Sequence, residues 1–301
     1  MKQARAWMMA AILTVSGASV FTACTSYDDN PVLPPQGIAI DETNFPDEYF
    51  RALLLEHEYG KDGVFTNEEI SKITEFHFEN EWIESLKGIE YFTALEYLNC
   101  GNCEIEEVDI SKNTKLKYIN FADNYLESLD VSKNVMLEYI SCEFNYLTEI
   151  DVSNNTALKY LECYGNILTS LDLTNNPELR EVDFEYNELT EIDLSKNPLL
   201  KKLYCSFNWL TALDLSNNPE MELIHCYHNK IAGEKMDNLI SSLPQKTSDK
   251  TYEFAVYTNE DDEEENVCTK TQVAVVKAKG WKPIYFDADD WEYKEYEGSD
   301  E

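Results

Sequence analysis

Residues 158–178 read LKYLECYGNILTSLDLTNNPE, and residues 200–220 read LKKLYCSFNWLTALDLSNNPE. Both segments follow the pattern LxxLxCxxNxLxxLDLSxNxx, except that Thr174 replaces the serine in the first. A fixed period of this length is the sequence signature of a repeat architecture. The pattern returns at intervals of 21 residues, in six full copies and a partial seventh that start at Leu95, Leu116, Leu137, Leu158, Leu179, Leu200 and Met221.

Within each copy, apolar residues two positions apart predict two short extended segments. Leu161 and Cys163 have this spacing in the first half of one copy, and Leu171 and Leu173 have it in the second. Because alternate strand residues point the same way, each copy has an apolar edge that only a neighbouring copy can bury. We therefore expect a solenoid of parallel rungs, in which seven rungs about 4.8 Å apart form a sheet roughly 29 Å wide.

The repeat resembles the bacterial leucine-rich repeat, specifically the 21-residue nested class in which units of about ten and about eleven residues alternate. The resemblance covers residues 93–232. It implies a leucine-rich-repeat solenoid, β-rich with parallel rungs. The residues outside the repeat predict an α-helical N-terminal cap at residues 39–92 and a βαβ C-terminal cap at residues 233–301. Proteins of this family usually recognise other proteins, and similar N-terminal openings occur in surface lipoproteins of Gram-negative gut anaerobes.

Two asparagine columns recur at the turns. A buried turn leaves backbone groups that need partners, and an asparagine amide can both donate and accept hydrogen bonds between rungs. We therefore assign both columns a structural role. For an accompanying aspartate column, a calcium site is the alternative to carboxylates that simply face water. The first asparagine column is Asn124, Asn145, Asn166, Asn187, Asn208 and Asn229, the second is Asn113, Asn134, Asn155, Asn176, Asn197 and Asn218, and the aspartates are Asp109, Asp130, Asp151, Asp172, Asp193 and Asp214.

Five cysteines share one repeat position, which Phe121 and Phe184 fill in other copies. A position that accepts either residue type is an apolar core position, where a free cysteine packs as a small hydrophobe. Cys100 and Cys103 have the spacing of a redox or zinc pair, but Cys103 falls in the first asparagine column. The two histidines that flank Cys226 lack a second ligand cluster to complete a zinc site. We expect no metal ion and no cofactor.

The N-terminal cap is predicted to begin with a helix, followed by a segment that resembles the second half of a calcium-binding EF-hand loop. In residues 58–69, Glu69 fits position twelve of that loop, whereas Glu58 and Gly60 depart from it at positions one and three. A helical cap without an ion is the preferred interpretation, and a calcium loop is the alternative.

After Ile231 the asparagine columns stop and the spacing changes. A helix that ends at Pro244 is predicted first. A strand over Tyr252–Tyr257, a helix over Thr269–Lys279 and a strand over Trp281–Phe286 then predict a βαβ cap that extends the sheet. The acidic aromatic segment that follows is expected either to pack back onto this cap or to fray.

Residues 1–23 combine a basic start, an apolar stretch and a small residue before a cysteine, which predicts a secretory signal peptide rather than a membrane span. Ala23 followed by Cys24 resembles a bacterial lipobox, although Phe21 departs from the usual leucine. The resemblance implies lipidation at Cys24, and cleavage to a non-lipidated product is the alternative. Residues 24–38 are expected to form an unfolded, lipid-anchored tether. The predicted location is the outer membrane, with exposure on the cell surface favoured over the periplasmic face.

The composition excludes several classes of function. The 301 residues include 24 Lys and Arg against 58 Asp and Glu, a formal net charge of −34. Such a charge repels nucleic acids and anionic membrane surfaces, so membrane contact is expected through the lipid anchor only. No nucleophile elbow, phosphate-binding loop or zinc-protease motif is present. We therefore predict a monomeric protein that is not an enzyme and has no catalytic residues.

The predicted binding site lies on the concave face of the repeat strands. The residue before the second leucine of each copy must point away from the core, and it is tyrosine in four successive copies. Outward positions two and four residues later add tyrosines and carboxylates, and tyrosine anchors are enriched where partners bind. Tyrosines that merely stabilise neighbouring strands are the alternative. The predicted site residues are Tyr97, Tyr118, Tyr139, Tyr160, Tyr164, Tyr204, Tyr227, Glu162, Asp183 and Glu185.

An aromatic strip edged by carboxylates favours a basic or neutral protein as the partner. A glycan is the main alternative, because sugar rings can also stack on tyrosine. Outside binding, the alternatives are a purely structural envelope protein and a hydrolase with dispersed carboxylates, since such carboxylates leave no short sequence motif.

Overall fold

The computed structural model describes residues 37–248, 250–260 and 264–300. The predicted signal peptide, Cys24 and all but the last two residues of the predicted tether lie outside this description. The described strands are β1 (Gly37–Ala39), β2 (Val64–Thr66), β3 (Glu75–His77), β4 (Tyr97–Asn99), β5 (Tyr118–Asn120), β6 (Tyr139–Ser141), β7 (Tyr160–Glu162), β8 (Glu181–Asp183), β9 (Lys202–Tyr204), β10 (Leu223–His225), β11 (Glu253–Thr258), β12 (Lys282–Asp287) and β13 (Glu292–Glu295). The described helices are α1 (Glu48–Glu56), α2 (Asn67–Ile70), a 3-10 helix (Ile89–Tyr91), α3 (Glu234–Ser242) and α4 (Lys270–Ala278).

Eleven strands form one sheet, in which β3 to β13 follow one another in chain order. Strands β3–β12 are parallel, and β13 is antiparallel to β12. Equal repeat positions pair across the strands, as in the register Tyr97 with Tyr118 and Tyr118 with Tyr139. The predicted leucine-rich-repeat solenoid is therefore confirmed, and its sheet extends beyond the seven predicted rungs at both ends.

The core lies on one side of this sheet, where the pattern leucines and the cysteine column meet. Leu161, Cys163, Leu168 and Leu173 of one copy are fully buried. Only the first of the two predicted extended segments becomes a strand, however. Within the described repeats, the second halves form turns and irregular stretches, with a single bridge between residues 85 and 107.

The first asparagine column joins each rung to the preceding one. Asn166 donates from Nδ2 to the carbonyl oxygens of Cys142 and Cys163, both at 3.0 Å, and its Oδ1 accepts from the Leu147 amide at 3.0 Å. The predicted double role is thus present in this column. Cys103 occupies the same position in the first rung, and its thiol approaches the Phe78 carbonyl oxygen at 3.0 Å.

The second asparagine column differs from the expectation, because its side chains only donate. Asn155 is fully buried and donates from Nδ2 to the carbonyl oxygens of Val131 at 3.2 Å and Asn134 at 2.9 Å. The Oδ1 atoms of all six members have no hydrogen-bond partner among the described residues. In this tight turn, backbone carbonyl oxygens face the Nδ2 atom of the asparagine side chain. No described donor faces its Oδ1 atom.

The aspartate column caps turns. The Oδ1 atom of Asp109 accepts from the Ser111 amide at 2.9 Å, and Asp151 does the same with Ser153 at 2.9 Å. Hydrogen bonds from Ser111 hold the pKa of the Asp109 carboxyl below its usual value. These exposed carboxylates therefore face water, as predicted, and each also stabilises a local turn.

The N-terminal cap contains strands that the helical prediction did not include. Gly37 and Ile38, which were assigned to the tether, belong to β1 and pair with β2, and Ile38 packs against the core. Glu69, the predicted twelfth position of a calcium loop, instead forms a capping box for α2. Its carboxylate accepts from the Thr66 amide at 2.8 Å, and its own amide donates to Thr66 Oγ1 at 3.2 Å.

The C-terminal cap contains the predicted βαβ unit, in which β11 and β12 are parallel strands joined by α4. Thr269 and Gln272 form a capping box at the start of α4. Trp281 is almost fully buried, and its indole Nε1 donates to the Pro244 carbonyl oxygen at 2.9 Å. The segment after β12 packs back as β13, which brings Trp291 and Tyr293 beside the repeat sheet.

Candidate functional site

The outward residues of the repeat strands form a continuous surface, which we call the strand face. It consists of the first and third residues of β4–β10 and of the residue two positions after each strand. Alternation separates it from the core, since Leu161 and Cys163 are fully buried while Tyr160 and Glu162 are partly exposed. Three columns of side chains therefore run across the sheet.

The first column is a tyrosine stack over β4–β7. The ring centroids of Tyr97 and Tyr118 are 4.2 Å apart, and those of Tyr118 and Tyr139 are 4.4 Å apart, with ring planes 8° and 7° from parallel. Tyr160 lies 6.1 Å from Tyr139 at an angle of 41°. Burial raises the pKa of Tyr118 to about 12, so this hydroxyl is a neutral donor at physiological pH. The Tyr139 hydroxyl donates to the Glu162 carboxylate.

Beyond β7 the strand face becomes acidic. Glu181 and Lys202 continue the first column as an ion pair at 3.1 Å. The other two columns carry the remaining predicted residues, which are Glu162, Asp183 and Tyr204 in the third position and Tyr164, Glu185 and Tyr227 in the fifth.

Four of the predicted residues meet in one recess of about 380 Å³ on this acidic half. We call it the acidic recess. Tyr164, Asp183, Glu185 and Tyr227 line it. The tyrosine stack lies outside its lining, and so does Tyr204, whose ring makes an edge-on contact with His225 at 5.0 Å. The predicted site is therefore divided into an aromatic half and an acidic half.

The carboxyl groups of the acidic recess have raised pKa values. Burial raises the pKa of Glu185 to about 7, and burial together with repulsion from Glu185 raises that of Asp183 to about 7. Burial, with repulsion from Glu162, raises the pKa of Glu143 to about 7. Within the described residues, none of these carboxylates forms a salt bridge. The recess therefore brings together three carboxyl groups that are partly ionised at neutral pH and have no basic partner among the described residues.

A hydrogen-bonded chain borders the recess on its C-terminal side. The Tyr293 hydroxyl lies 3.1 Å from His225 Nδ1 and 3.3 Å from the Tyr227 hydroxyl. Burial lowers the pKa of His225 to about 4, so this imidazole is neutral at physiological pH and does not compensate the carboxylates. The chain fixes the Tyr227 ring as a wall of the recess.

Sequence reasoning missed several residues of the recess. Glu143 lies in the fifth column, but its neighbours in that column, Ala122 and Tyr164, are not acidic. Phe286 and Trp291 come from the C-terminal cap, and no repeat pattern relates them to the strands. Trp291 is 80% exposed, so its ring faces water at the rim of the recess. Its backbone has a positive φ of 55°. The signal that the sequence offers for this residue is a tryptophan placed among acidic residues.

A second group missed from the sequence lies on the turns after the strands. Phe144, Tyr186, Phe207 and His228 all adopt positive φ, between 48° and 53°, where glycine or asparagine is usual. The rings of Tyr186 and Phe207 stack with centroids 4.0 Å apart. The signal is visible in the sequence, since an aromatic residue directly precedes the asparagine of the first column. Bulky residues at this costly conformation extend the aromatic surface from the recess along the turns.

The sequence alternatives that involve metal or redox chemistry find no support in the geometry. Cys100 and Cys103 are both buried, and burial raises the pKa of both thiols, to about 11 for Cys103. Such thiols are poor nucleophiles at neutral pH. Across the described residues, no group of three or more His, Cys, Asp and Glu side chains is placed to hold a metal ion.

The solved structures to which this chain is similar are leucine-rich-repeat proteins. The functional domain of InlJ from Listeria monocytogenes, whose structure includes a cysteine ladder, is 28% identical over 68% of this chain and 55% of its own, with a TM-score of 0.53. Internalin C2 of the same organism is 18% identical over 68% and 94%, with a TM-score of 0.59. A leucine-rich-repeat protein of Leptospira interrogans is 17% identical over 62% and 52%, with a TM-score of 0.53.

These similarities agree with the fold derived above, and solenoids of this class typically act as recognition domains with extended binding surfaces. This chain spans about half the length of the InlJ domain that it matches. No protein-family model and no curated protein matches the chain. Among the described helices, none is long and apolar enough to cross a membrane.

Proposed function

We propose that this protein is a non-enzymatic binding protein that recognises a protein partner through its strand face. The observation that carries the proposal is the composition of that face, which combines stacked tyrosines with the carboxylates of the acidic recess, for which the described residues supply no basic partner. Tyrosine supplies large contact area at a low entropic cost, and unpaired carboxylates select a basic or neutral surface. The leucine-rich-repeat neighbours support protein recognition as the general role.

We further propose that a lipid on Cys24 anchors the protein to the outer membrane of a Gram-negative anaerobe and that the solenoid is exposed on the cell surface. The support is the sequence Ala23-Cys24 after an apolar stretch, and the proline-rich acidic segment that follows it. A tether of this kind would hold the strand face away from the membrane, where a partner can reach it.

A glycan is the second candidate ligand, and Trp291 is the observation that favours it. This ring is largely exposed at the rim of the acidic recess, and an exposed aromatic face can stack on a sugar ring. A glycan array and a protein pull-down with the same purified protein would distinguish the two classes of ligand.

The decisive variant replaces Tyr118, Tyr139 and Tyr160 by serine. We expect loss of partner binding with the solenoid retained, because these rings contribute contact area outside the core. The partner captured by the wild-type protein would be purified, and its affinity for each variant measured by surface plasmon resonance with circular dichroism as the folding check.

The matched control replaces Tyr125 and Tyr146 by serine. These residues are 44% and 54% exposed and stack on each other at 6.3 Å, but they lie off the strand face. The control should bind normally. A folded triple variant with full affinity, or an equal loss in the control, would place the binding site elsewhere.

A further inference from the structure

The walls of the acidic recess are aromatic. The rings of Tyr227 and Phe286 stack with centroids 5.8 Å apart, and Phe286 meets the Trp291 ring edge-on at 5.9 Å. On the opposite side, Tyr186 contacts the Tyr164 ring edge-on at 5.3 Å. A cation over such ring faces is attracted by their quadrupoles. The recess therefore combines two features that attract positive charge, the carboxylates and the aromatic faces.

One oxygen atom of the recess lining, Glu185 Oε1, is buried and has no hydrogen bond of good geometry among the described residues. Ser206 lies between Glu185 and Tyr227 in the fifth column and is fully buried, but unlike these two residues it does not line the recess. Its hydroxyl lies beside the Glu185 carboxylate, yet neither Ser206 Oγ nor Glu185 Oε1 has a hydrogen bond of good geometry within the described residues. A buried polar atom without a partner is destabilising, and a ligand with hydrogen-bond donors would relieve this at Glu185 Oε1.

The ligand that fits these groups is an organic cation rather than a bare metal ion. The aromatic walls offer no metal ligands, and no cluster of metal-binding side chains is found in the described part of the chain. A guanidinium group has five donors and no acceptor, is planar, and stacks on aromatic rings. An ammonium group has three donors and is more strongly hydrated, so arginine suits the recess better than lysine.

We propose that the acidic recess receives a cationic side chain of the bound partner, with arginine preferred over lysine. The carboxylates of Asp183 and Glu185 accept its hydrogen bonds, and Trp291 covers one face of the guanidinium group. This inference rests on the proposed function only for the source of the cation, because the recess itself is complete in this chain.

The test uses N-acetylarginine amide, N-acetyllysine amide and the neutral isostere N-acetylcitrulline amide as probes in saturation-transfer NMR. The arginine probe should bind the wild-type protein more tightly than the lysine probe, and the citrulline probe should not bind detectably. The double variant Asp183→Asn/Glu185→Gln should bind the arginine probe at least about tenfold more weakly, a loss of ~1.4 kcal/mol. Trp291→Ala, which removes a largely exposed ring, should also weaken binding and serves as a variant that cannot disturb the core.

The matched control is Glu149→Gln/Glu191→Gln, which removes the same charge from exposed repeat positions and should bind like the wild type. Equal binding of citrulline and arginine, unchanged binding in the Asp183 and Glu185 variant, or preferential binding of a neutral oligosaccharide would each overturn the proposal. An equal loss of arginine-probe binding in the control would mean that the overall negative charge of the protein attracts the probe. That outcome would also overturn the proposal. Because no partner is needed, failure here is distinct from failure of the tyrosine variant.

Discussion

One side-chain amide holds each turn of the repeat to its neighbour. Asn166 joins three backbone groups from two rungs, whereas Asn155 in the second column satisfies two carbonyls and leaves its own oxygen without a partner. Replacing Asn166 by alanine would therefore leave one buried backbone amide and two carbonyl oxygens without their hydrogen-bond partner. This makes the first column the more sensitive of the two.

We expect Asn166→Ala to lower the free energy of unfolding by about 1–3 kcal/mol. Asn154→Ala is the matched control, because Asn154 is an exposed asparagine one position before the second column. Urea unfolding followed by circular dichroism would measure both. An Asn166→Ala protein with the wild-type midpoint but reduced ligand binding would show that the column serves recognition rather than structure.

At the residue scale, repetition decides what a sequence reveals. The asparagine and cysteine positions were predictable because each recurs every 21 residues in a fixed relation to buried leucines. Glu143 was not predictable, since its raised pKa comes from burial and from Glu162 and Asp183 on the following rungs, and residues of the C-terminal cap share the recess with it. The raised pKa values of these carboxyls depend on distances across rungs that a one-dimensional pattern does not contain.

At the scale of elements, the repeat strands were predicted in type, order and register. Strands β1, β2 and β3 were missed because their three-residue segments lie outside the repeat and have no internal periodicity of their own. The second half of each copy was expected to be extended, but the Asp109-type turn and the second asparagine column bend the backbone within a few residues. Local hydrogen bonds thus compete with strand pairing at these positions.

The C-terminal cap shows how an element outside the repeat completes a site within it. Its βαβ unit followed from helix and strand spacing, with observed boundaries within one residue of the prediction for α4 and β11. The sequence did not decide whether the segment that forms β13 packs back onto the cap or frays. This strand carries Tyr293 to His225 and places Trp291 at the recess, so the missed element supplies one of the missed residues of the site.

At the scale of the whole molecule, the proposed lipid anchor determines where the strand face is displayed. Cys24→Ala should abolish lipidation and release the protein from membranes, because the lipid on Cys24 is the proposed attachment to the bilayer. Detergent phase partitioning of cell fractions would measure the release, and Cys103→Ala, at a buried repeat position, is the control that should stay membrane-bound. Unchanged membrane retention of the Cys24 variant would contradict the lipoprotein proposal.

The acidic recess also carries a cost for the whole fold in the absence of ligand. Glu143, Asp183 and Glu185 have pKa values of about 7 when folded, well above the values of an unfolded chain. Between pH 4.5 and 7 the folded state therefore binds more protons, and its stability falls as the pH rises through this window. His225 acts in the opposite sense between pH 4 and 6.5, because its pKa is lowered to about 4. Three raised carboxyls outweigh one histidine, because the unfolded histidine has already lost part of its proton by pH 6.

We therefore expect the ligand-free protein to unfold at a lower temperature at pH 8 than at pH 6, with a difference in unfolding free energy on the order of 2 kcal/mol. Asp183→Asn/Glu185→Gln should remove most of this difference by stabilising the protein at pH 8, since neither amide carries the charge that burial penalises. Calorimetry across pH 6–8 would measure it, with Glu149→Gln/Glu191→Gln as the control that keeps the wild-type slope. A wild-type protein whose stability rises from pH 6 to 8 would show that the carboxyls of the recess ionise at little cost in free energy. A saturating arginine ligand should pair with these carboxylates and so shift the wild-type stability profile toward that of the double variant.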